Sequence, residues 1–565
     1  MSLHQVLASQ AQTPKSAFGV ERHSLIYVPN IWGDHFLSYA SMEIDTKLQQ
    51  RVQELKEEVK KMLNVVVNKK SDSYILDMVD NIQRLSVSYH FENEIDAMLK
   101  QVHKNSHGGE NQHQLVNDDD LYATALRFRL LRQQGYNVSC DVFNKFKECR
   151  GTFKESLMSD VVGLLSLYEA THLRVHGEDV LEEALTFSRT HLQSIAPRLS
   201  SPLSKQVNHA LYQPLWKGFQ RLEARHYLSI YEEDDSHNET LLNLAKMDFN
   251  LVQKVHQKEL SDMTRWWRDL DLTNKLPLAR DRIVESYFWA LETYFEPEYV
   301  FARMILCIYI ALVTVINDVY DVYGTYEDLE LFTHAVDRWE TSAGEQLPEY
   351  MKACYKGLLD SYSGFEEKLA DEGSLYLIHY TREAIKILVR AYFQRAKWFK
   401  EKYTPTMDEY ISNELHTSFY TMAITSFVGM GGLVTKDLMD WVLNEPKIIK
   451  AISLIGRLQN DMSGYKFVQN KEQRASAVEV YMNQYSVTEE EAKMELTKQT
   501  DAAWKELNQE MLHLHSTAGI PKPFLQIILN LARSSEVLIK NDEDGFTTTG
   551  IKDFIVSLFI EPVRV

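Results

Sequence analysis

Residues 315–324 read VINDVYDVYG and end an apolar run, Met304 to Ile316, with an amide and two carboxylates. On an α-helix Asn317 and Asp321 stand four residues apart and share a face to within about 40°. Asp318, three residues before Asp321, lies beside them. Oxygens gathered at the end of an apolar helix suit a hard cation such as Mg²⁺, which binds between carboxylates and substrate phosphates. The same spacing occurs on solvated helices, where such acids simply face water. The apolar run favours the metal reading, because carboxylates turned toward an apolar interior are costly without a partner.

Partners for an anion stand upstream and downstream. Residues 279–282 read ARDR and precede IVESYFWAL. Arg280 and Arg282 have the guanidinium geometry that clamps a diphosphate. Read alone, Arg-Asp-Arg also describes a surface salt-bridge cluster. Phe288 and Trp289, taken singly, read as helix core. A second oxygen-bearing patch lies in IGRLQNDMSGYKFVQNK (455–471), at Arg457, Asn460 and Asp461. The triplet Asp118-Asp119-Asp120 precedes LYATALRF and reads as charge favouring a helix N-terminus.

The elements that position these residues read as helices. Gly (22) and Pro (13) are sparse in 565 residues, and 44% of residues are hydrophobic. That composition favours helices with large cores and, at this length, two or more domains. Leu48, Val52, Leu55, Val59 and Met62 recur at helical spacing, with Asp45 or Thr46 as cap. Helical patterning continues over 121–134, 157–174, 180–194, 240–267, 282–293 and 299–321. No β alternation long enough for a sheet appears. The acidic stretch EEDDSHNET (232–240) separates two helical blocks. The expected architecture is all-α, with an arm over 1–30 and two α-helical domains over 31–235 and 236–565.

A net charge of −19 argues against a nucleic-acid binder. Cys140, Cys149, Cys307 and Cys354 show neither zinc nor redox spacing, which fits a reducing compartment. The N-terminus has no apolar signal region. The run Met304 to Ile316 falls short of the ~20 residues of a membrane span, so a soluble protein is expected.

Several long segments, in one order along nearly the whole chain, resemble the plant class I terpene synthases, and among them the angiosperm sesquiterpene synthases. Arg22-His23, eight residues and Trp32 are similar to that family's R(R/P)x8W segment. Similar too are LRFRLLRQQGYNVS (126–139), GLLSLYEATHLRVHGEDVLEEAL (163–185), SHNETLLNLAKMDFNLVQ (236–253), ARDRIVESYFWAL and FVGMG (427–431). The resemblance implies a non-catalytic β-type helical domain followed by a catalytic α-type domain. It implies a Mg²⁺-dependent lyase, with Mn²⁺ as the alternative ion, that cyclises a prenyl diphosphate. The R(R/P)x8W segment begins at residue 22, which implies a cytoplasmic enzyme acting on farnesyl diphosphate; a monomer is expected. It implies catalytic roles for Arg280, Arg282, Trp289, Asp321, Arg457 and Asp544. Substrate would meet Arg280, Asn317, Asp321, Arg457, Asn460, Phe419, Tyr420 and Phe546. Metal would meet Asn317, Asp318, Asp321, Asn460 and Asp461.

The chain departs from the family pattern in places. Asn317 stands where DDxxD begins with a carboxylate. Gly464 is a variant the second motif, (N/D)Dxx(S/T/G)xxxE, admits, but Val468 replaces its Glu, and Val cannot bind a metal. Gln469 is adjacent but turned roughly 100° away on a helix. Ile539 and Phe546 stand where many members carry Tyr. The triplet 118–120 lacks the DxDD order of class II cyclases. Three other readings compete. One is a degenerate relative that binds prenyl diphosphates or proteins. A chain-elongating prenyltransferase would need two full aspartate-rich motifs. A structural helical protein gives the Asn and Asp residues no role.

Overall fold

The computed structural model of the chain describes residues 27–43, 45–69, 71–107, 120–149, 151–468, 475–515 and 519–565, with no side-chain description over 67–69, 106–107 and 466–468. Helices dominate. The paired strands among the described residues are Ile539–Lys540 and Glu543–Asp544, besides one isolated bridge between Lys147 and Phe153. The hairpin pairs antiparallel, Ile539 with Asp544, around Asn541 and Asp542 at φ 53° and 60°. Two left-handed residues make the tight turn such a hairpin needs, and Asn and Asp tolerate that conformation.

The first long helix, Thr46–Lys69, starts where Asp45 Oδ1 accepts the Lys47 and Leu48 N–H groups. Its Val52, Leu55, Val59, Leu63 and Val66 are buried, and it packs on the 32-residue helix Glu239–Leu270. The helix expected over 157–174 is shorter. Asp160 accepts the Gly163 N–H at 2.8 Å and starts a new helix, Val161–Thr171, after a 3₁₀ turn at Glu155–Ser159. Asp120 caps Leu121–Gln133 by accepting the Tyr122 N–H, as its place before that helix implied; Asp118 and Asp119 lie outside the described residues.

The stretch 232–240 is a tight turn. Asp234 Oδ1 accepts the Ser236 N–H, and Asn238 caps Glu239–Leu270 through the Leu241 N–H. A continuous apolar core runs past this turn, from Trp32 and Phe36 through Phe249 and Ile308 to Phe559. Smaller cores centre on Phe128 and Phe143, on Leu164 and Leu192, and on Tyr410 and Leu458.

The helix Val300–Asp318 runs through the C-terminal half, packed by Ile283–Thr293, Glu349–Asp371 and Phe419–Val428. Gly429 follows the last of these, and it is glycine because a Cβ there would meet the Ala302 backbone at 2.3 Å. With its flanking turns the helical stretch is Pro297–Tyr323, 27 residues, which by length and composition reaches a membrane span. That corrects the length argument based on Met304 to Ile316, since apolar turns extend the run at both ends. Burial separates the two cases: 72% of its most apolar window is buried inside the protein, as in a core helix.

Candidate active site

The apolar helix changes pitch where its polar residues begin. Val319–Tyr323 forms a π-helical turn, and Gly324 and the Thr325–Asp328 capping box then start the next helix. Such local widening recurs at functional sites. Asn317 and Asp321 stay on one side, with Asn317 Nδ2 donating to Asp321 Oδ2 at 3.2 Å. Both line a cavity of about 370 Å³, within the range of roughly 300–1,000 Å³ typical of small-molecule sites.

Asp318 does not line that cavity. It is fully buried and accepts the Arg280 N–H at 2.8 Å, Arg280 Nε at 3.0 Å and the Tyr27 hydroxyl at 3.1 Å. Its metal assignment is therefore corrected: one residue of helical rotation turns it to Arg280, which it anchors. Arg280 Nη2 donates to Asn317 Oδ1 at 2.7 Å, and Nη1 to Thr547 Oγ1 at 3.3 Å. Burial alone would lower the Arg280 pKa, but Asp318 and Tyr27 hold it above the usual value.

Arg282 is also corrected. Only 3% exposed, it spends its guanidinium on the carbonyls of Phe546, Asp281, Val28 and Thr547. It pins the 544–548 loop and the chain at residue 28. Asp281 accepts from Asn30 Nδ2 and Trp267 Nε1, and Trp32 Nε1 donates to Glu285. ARDR is thus a packed junction, Arg282 buried and the other three residues partly so, which rules out the surface salt-bridge reading.

On the opposite side the helix Lys447–Val468 carries Arg457, Asn460 and Asp461 into the same cavity. Arg457 Nη2 donates to Asn460 Oδ1 and, at 2.7 Å, to Asp461 Oδ1. Asp461 Oδ2 accepts the Tyr410 hydroxyl at 2.7 Å and the Ala477 N–H at 3.1 Å. Asp461 holds Arg457, so its use as a metal ligand would compete with three donors. Burial lowers the Arg457 pKa, yet Asp461, Tyr410 and Glu414 raise it overall. The side chain of Val468, and Gln469 altogether, lie outside the described residues, as do Arg22 and His23.

The cavity floor is aromatic. Trp289 meets Phe546 at 5.4 Å and Phe419 at 6.1 Å between ring centroids, both edge to face. Gly456 makes room for Phe419, whose ring a Cβ would meet at 2.5 Å. Tyr420 is corrected: it faces away, its hydroxyl donates to the Leu443 carbonyl, and burial pushes its pKa up to about 12. Asp544 borders the cavity and organises its rim. Its oxygens accept the Phe546 N–H at 3.0 Å and the Thr547 hydroxyl at 2.7 Å.

The cavity also holds residues that sequence reasoning missed: Tyr27, Tyr309, Tyr392, Arg395 and Thr421. Leu388, Tyr392 and Arg395, spaced four and three, were a legible stripe on the helix Leu377–Glu401. Among the described residues no group of three or more His, Cys, Asp and Glu stands together as a metal cluster. The cavity offers Asn317, Asp321 and Asn460 instead, an oxygen donor set that fits Mg²⁺.

Fold and site define a class: an all-helical protein with an apolar, aromatic-floored cavity rimmed by arginines and side-chain oxygens. The chain belongs to the terpene synthase family, matching the terpene synthase N-terminal domain over residues 31–211 and the family's metal binding domain over 268–506. It is 54% identical to a (−)-germacrene D synthase of Vitis vinifera over 551 residues, 97% of each chain. A valencene synthase of Vitis vinifera is 46% identical over 568 residues, the full length of both. Isoprene synthase from grey poplar leaves, solved with three Mg²⁺ ions and dimethylallyl-S-thiolodiphosphate, superposes with a TM-score of 0.85. That structure is 34% identical and covers 95% of this chain and 99% of its own.

Proposed function

We propose that the protein is a sesquiterpene synthase that ionises farnesyl diphosphate and cyclises the resulting cation to a hydrocarbon or alcohol, releasing diphosphate. The observation that carries this reading is the pairing of an apolar aromatic cavity with two opposed Asn–Asp–Arg walls. The relatives named for sesquiterpene products support it. Asn317, Asp321 and Asn460 would hold Mg²⁺, or Mn²⁺ as the alternative ion, which when bound would supply the Lewis-acid charge that makes diphosphate a leaving group.

The chain's own residues do the rest. Arg280 and Arg457 hold positive charge at the cavity rim, where the C–O bond breaks and its electron pair leaves with the diphosphate oxygen. The 544–548 loop, held by Arg282 and Asp544, closes that rim against water, which would trap the cation early. Trp289, Phe419 and Phe546 line the cavity, and an aromatic ring face stabilises a cation by about 0.5–2 kcal/mol.

The division that goes with this reading is an arm over 1–30, a non-catalytic helical domain over 31–235 and the catalytic domain over 236–565. The two family matches fall on either side of residue 235. A cytoplasmic monomer completes it, tested by imaging a tagged chain and by light scattering. The decisive experiment incubates purified protein with geranyl, farnesyl and geranylgeranyl diphosphate, with Mg²⁺ and separately Mn²⁺, and analyses volatiles by gas chromatography–mass spectrometry. A cyclic C15 product from farnesyl diphosphate is expected. No product from any substrate would overturn the reading in favour of a degenerate binder.

A further inference from the structure

Among the described residues three arginines line the cavity, and two are committed to the walls. Arg280 is held by Asp318 and Asn317, and the Nη2 of Arg457 by Asp461 and Asn460. The third, Arg395, comes from the helix Leu377–Glu401 and is 9% exposed. Its Nε stands 3.1 Å from Glu414 Oε1, an ion pair without hydrogen-bond alignment, and its Nη1 is buried with no hydrogen-bond partner among the described residues. A buried guanidinium edge without an acceptor is expensive to leave unmade.

Its surroundings keep it charged. Burial lowers its pKa, while Glu414 and then Asp321 raise it above the usual value overall. Glu414, 0% exposed, lies within 3.6 Å of Arg457 Nη1 as well, so one carboxylate joins two cavity arginines. Thr417 Oγ1 donates to Glu414 at 2.8 Å and fixes it. Arg395 is thus a positioned cation bordering the same cavity as Asp321, beside an Asn317 that brings no negative charge.

We propose that Arg395 binds the substrate's diphosphate directly, as a fixed charge that supplies part of what the site otherwise takes from metal ions, so that the protein binds diphosphate without metal. A planar guanidinium with an unused edge matches two phosphate oxygens. The proposal rests on the cavity being a prenyl diphosphate site, and it assigns a role to a residue the two walls do not use.

The test titrates inorganic pyrophosphate into the full-length protein in EDTA, followed by calorimetry. The unaltered protein is expected to bind. Arg395→Gln should weaken that binding at least about tenfold, the loss of a charge-assisted contact. Arg395→Lys should weaken it less. Should Arg395→Gln fail to fold because Glu414 is stranded, the double variant Arg395→Gln/Glu414→Gln removes both charges and must show the same loss. No metal-free binding by the unaltered protein, or equal affinity in the variants, overturns the proposal. The farnesyl diphosphate assay on unaltered protein is independent. Product formation with unchanged pyrophosphate affinity in the variants sinks Arg395 and leaves the function standing. Arg395-dependent pyrophosphate binding without product does the reverse.

Discussion

The two walls of the cavity are built to one plan from unrelated segments. In each, an Asn–Asp pair sits near the C-terminal end of a helix, and one arginine donates to the Asn oxygen and to the Asp carboxylate. Each Asp also accepts one tyrosine hydroxyl and one backbone N–H: Tyr27 and Arg280 for Asp318, Tyr410 and Ala477 for Asp461. What differs is the origin of the parts. Arg457 lies on the same helix as Asp461, four residues away. Arg280 arrives from a segment 38 residues distant, and Tyr27 from one 291 distant. In the second wall the arginine pairing is set by local helix geometry, with Tyr410 and Ala477 docked onto it, whereas in the first even the arginine comes from another segment. Four residues past the Asn, the first wall places Asp321 in the cavity and the second places Gly464. Each wall therefore brings one carboxylate to the cavity, Asp321 and Asp461, but Asp461 is already engaged by Arg457, Tyr410 and the Ala477 N–H.

The largest effects come from removing the shared arginines. Arg280→Met leaves Asp318 buried without its cation, and losses of about 3–5 kcal/mol are typical of breaking such a pair. Adding Asp318→Asn should restore most of the thermal stability but not turnover. Arg457→Met should cost as much, yet Asp461→Asn should rescue it only partly, because Glu414 has also lost a nearby cation. Equal rescue on both sides, read by calorimetric melting, would show that Glu414 leans on Arg395 alone.

Next comes the carboxylate that the first wall presents to the cavity, Asp321. Asp321→Asn keeps size and removes charge. Losing a few kcal/mol of attraction for a bound cation should lower turnover of farnesyl diphosphate about a hundredfold, with the fold intact by circular dichroism. A change below about threefold would mean that the walls are electrostatically equivalent toward substrate.

The comparison also explains what the sequence revealed. Periodicity located the helices because burial follows the 3.6-residue repeat, as Val52, Leu55 and Val59 show. The i,i+4 rule placed Asn317 beside Asp321 correctly. Asp318, Arg282 and Tyr420 went astray for one reason. Each lies one or two residues from a cavity residue and turns toward partners that only tertiary docking supplies: the Arg280 N–H, the Phe546 carbonyl, the Leu443 carbonyl. Arg395 was overlooked because no recognised motif flags it, although an arginine in the stripe Leu388, Tyr392 was visible.

A smaller effect is expected where charge is added. Asn317→Asp sets a second carboxylate beside Asp321 and exchanges the amide bond between them for repulsion that a cation relieves. Half-maximal activity should need about tenfold less Mg²⁺, consistent with an extra 1–2 kcal/mol of attraction at short range. Asn460→Asp faces Gly464 rather than a carboxylate and should shift the requirement less. The reverse order would place the principal metal contact on the second wall.

The smallest effects separate the two tyrosines. Tyr27→Phe and Tyr410→Phe each remove one hydroxyl donor from a carboxylate that keeps its arginine and its backbone N–H, so each should cost about 0.5–1.5 kcal/mol. The cost should appear in different places. Tyr410 is 1% exposed and lies in a small core with Leu458 and Ala477, away from the cavity lining, so its loss should lower the melting temperature with little change in turnover. Tyr27 borders the cavity and lies 5.1 Å from the Arg280 guanidinium over its ring. Burial, reinforced by Asp318 and Asp321 against Arg280, raises its phenol pKa, so it stays a proton donor across the working range. Its loss should lower turnover a few-fold while the melting temperature holds. If Tyr27→Phe instead melts early with full turnover, the arm serves only to cover the first wall, and the two walls are alike in function as well as in plan.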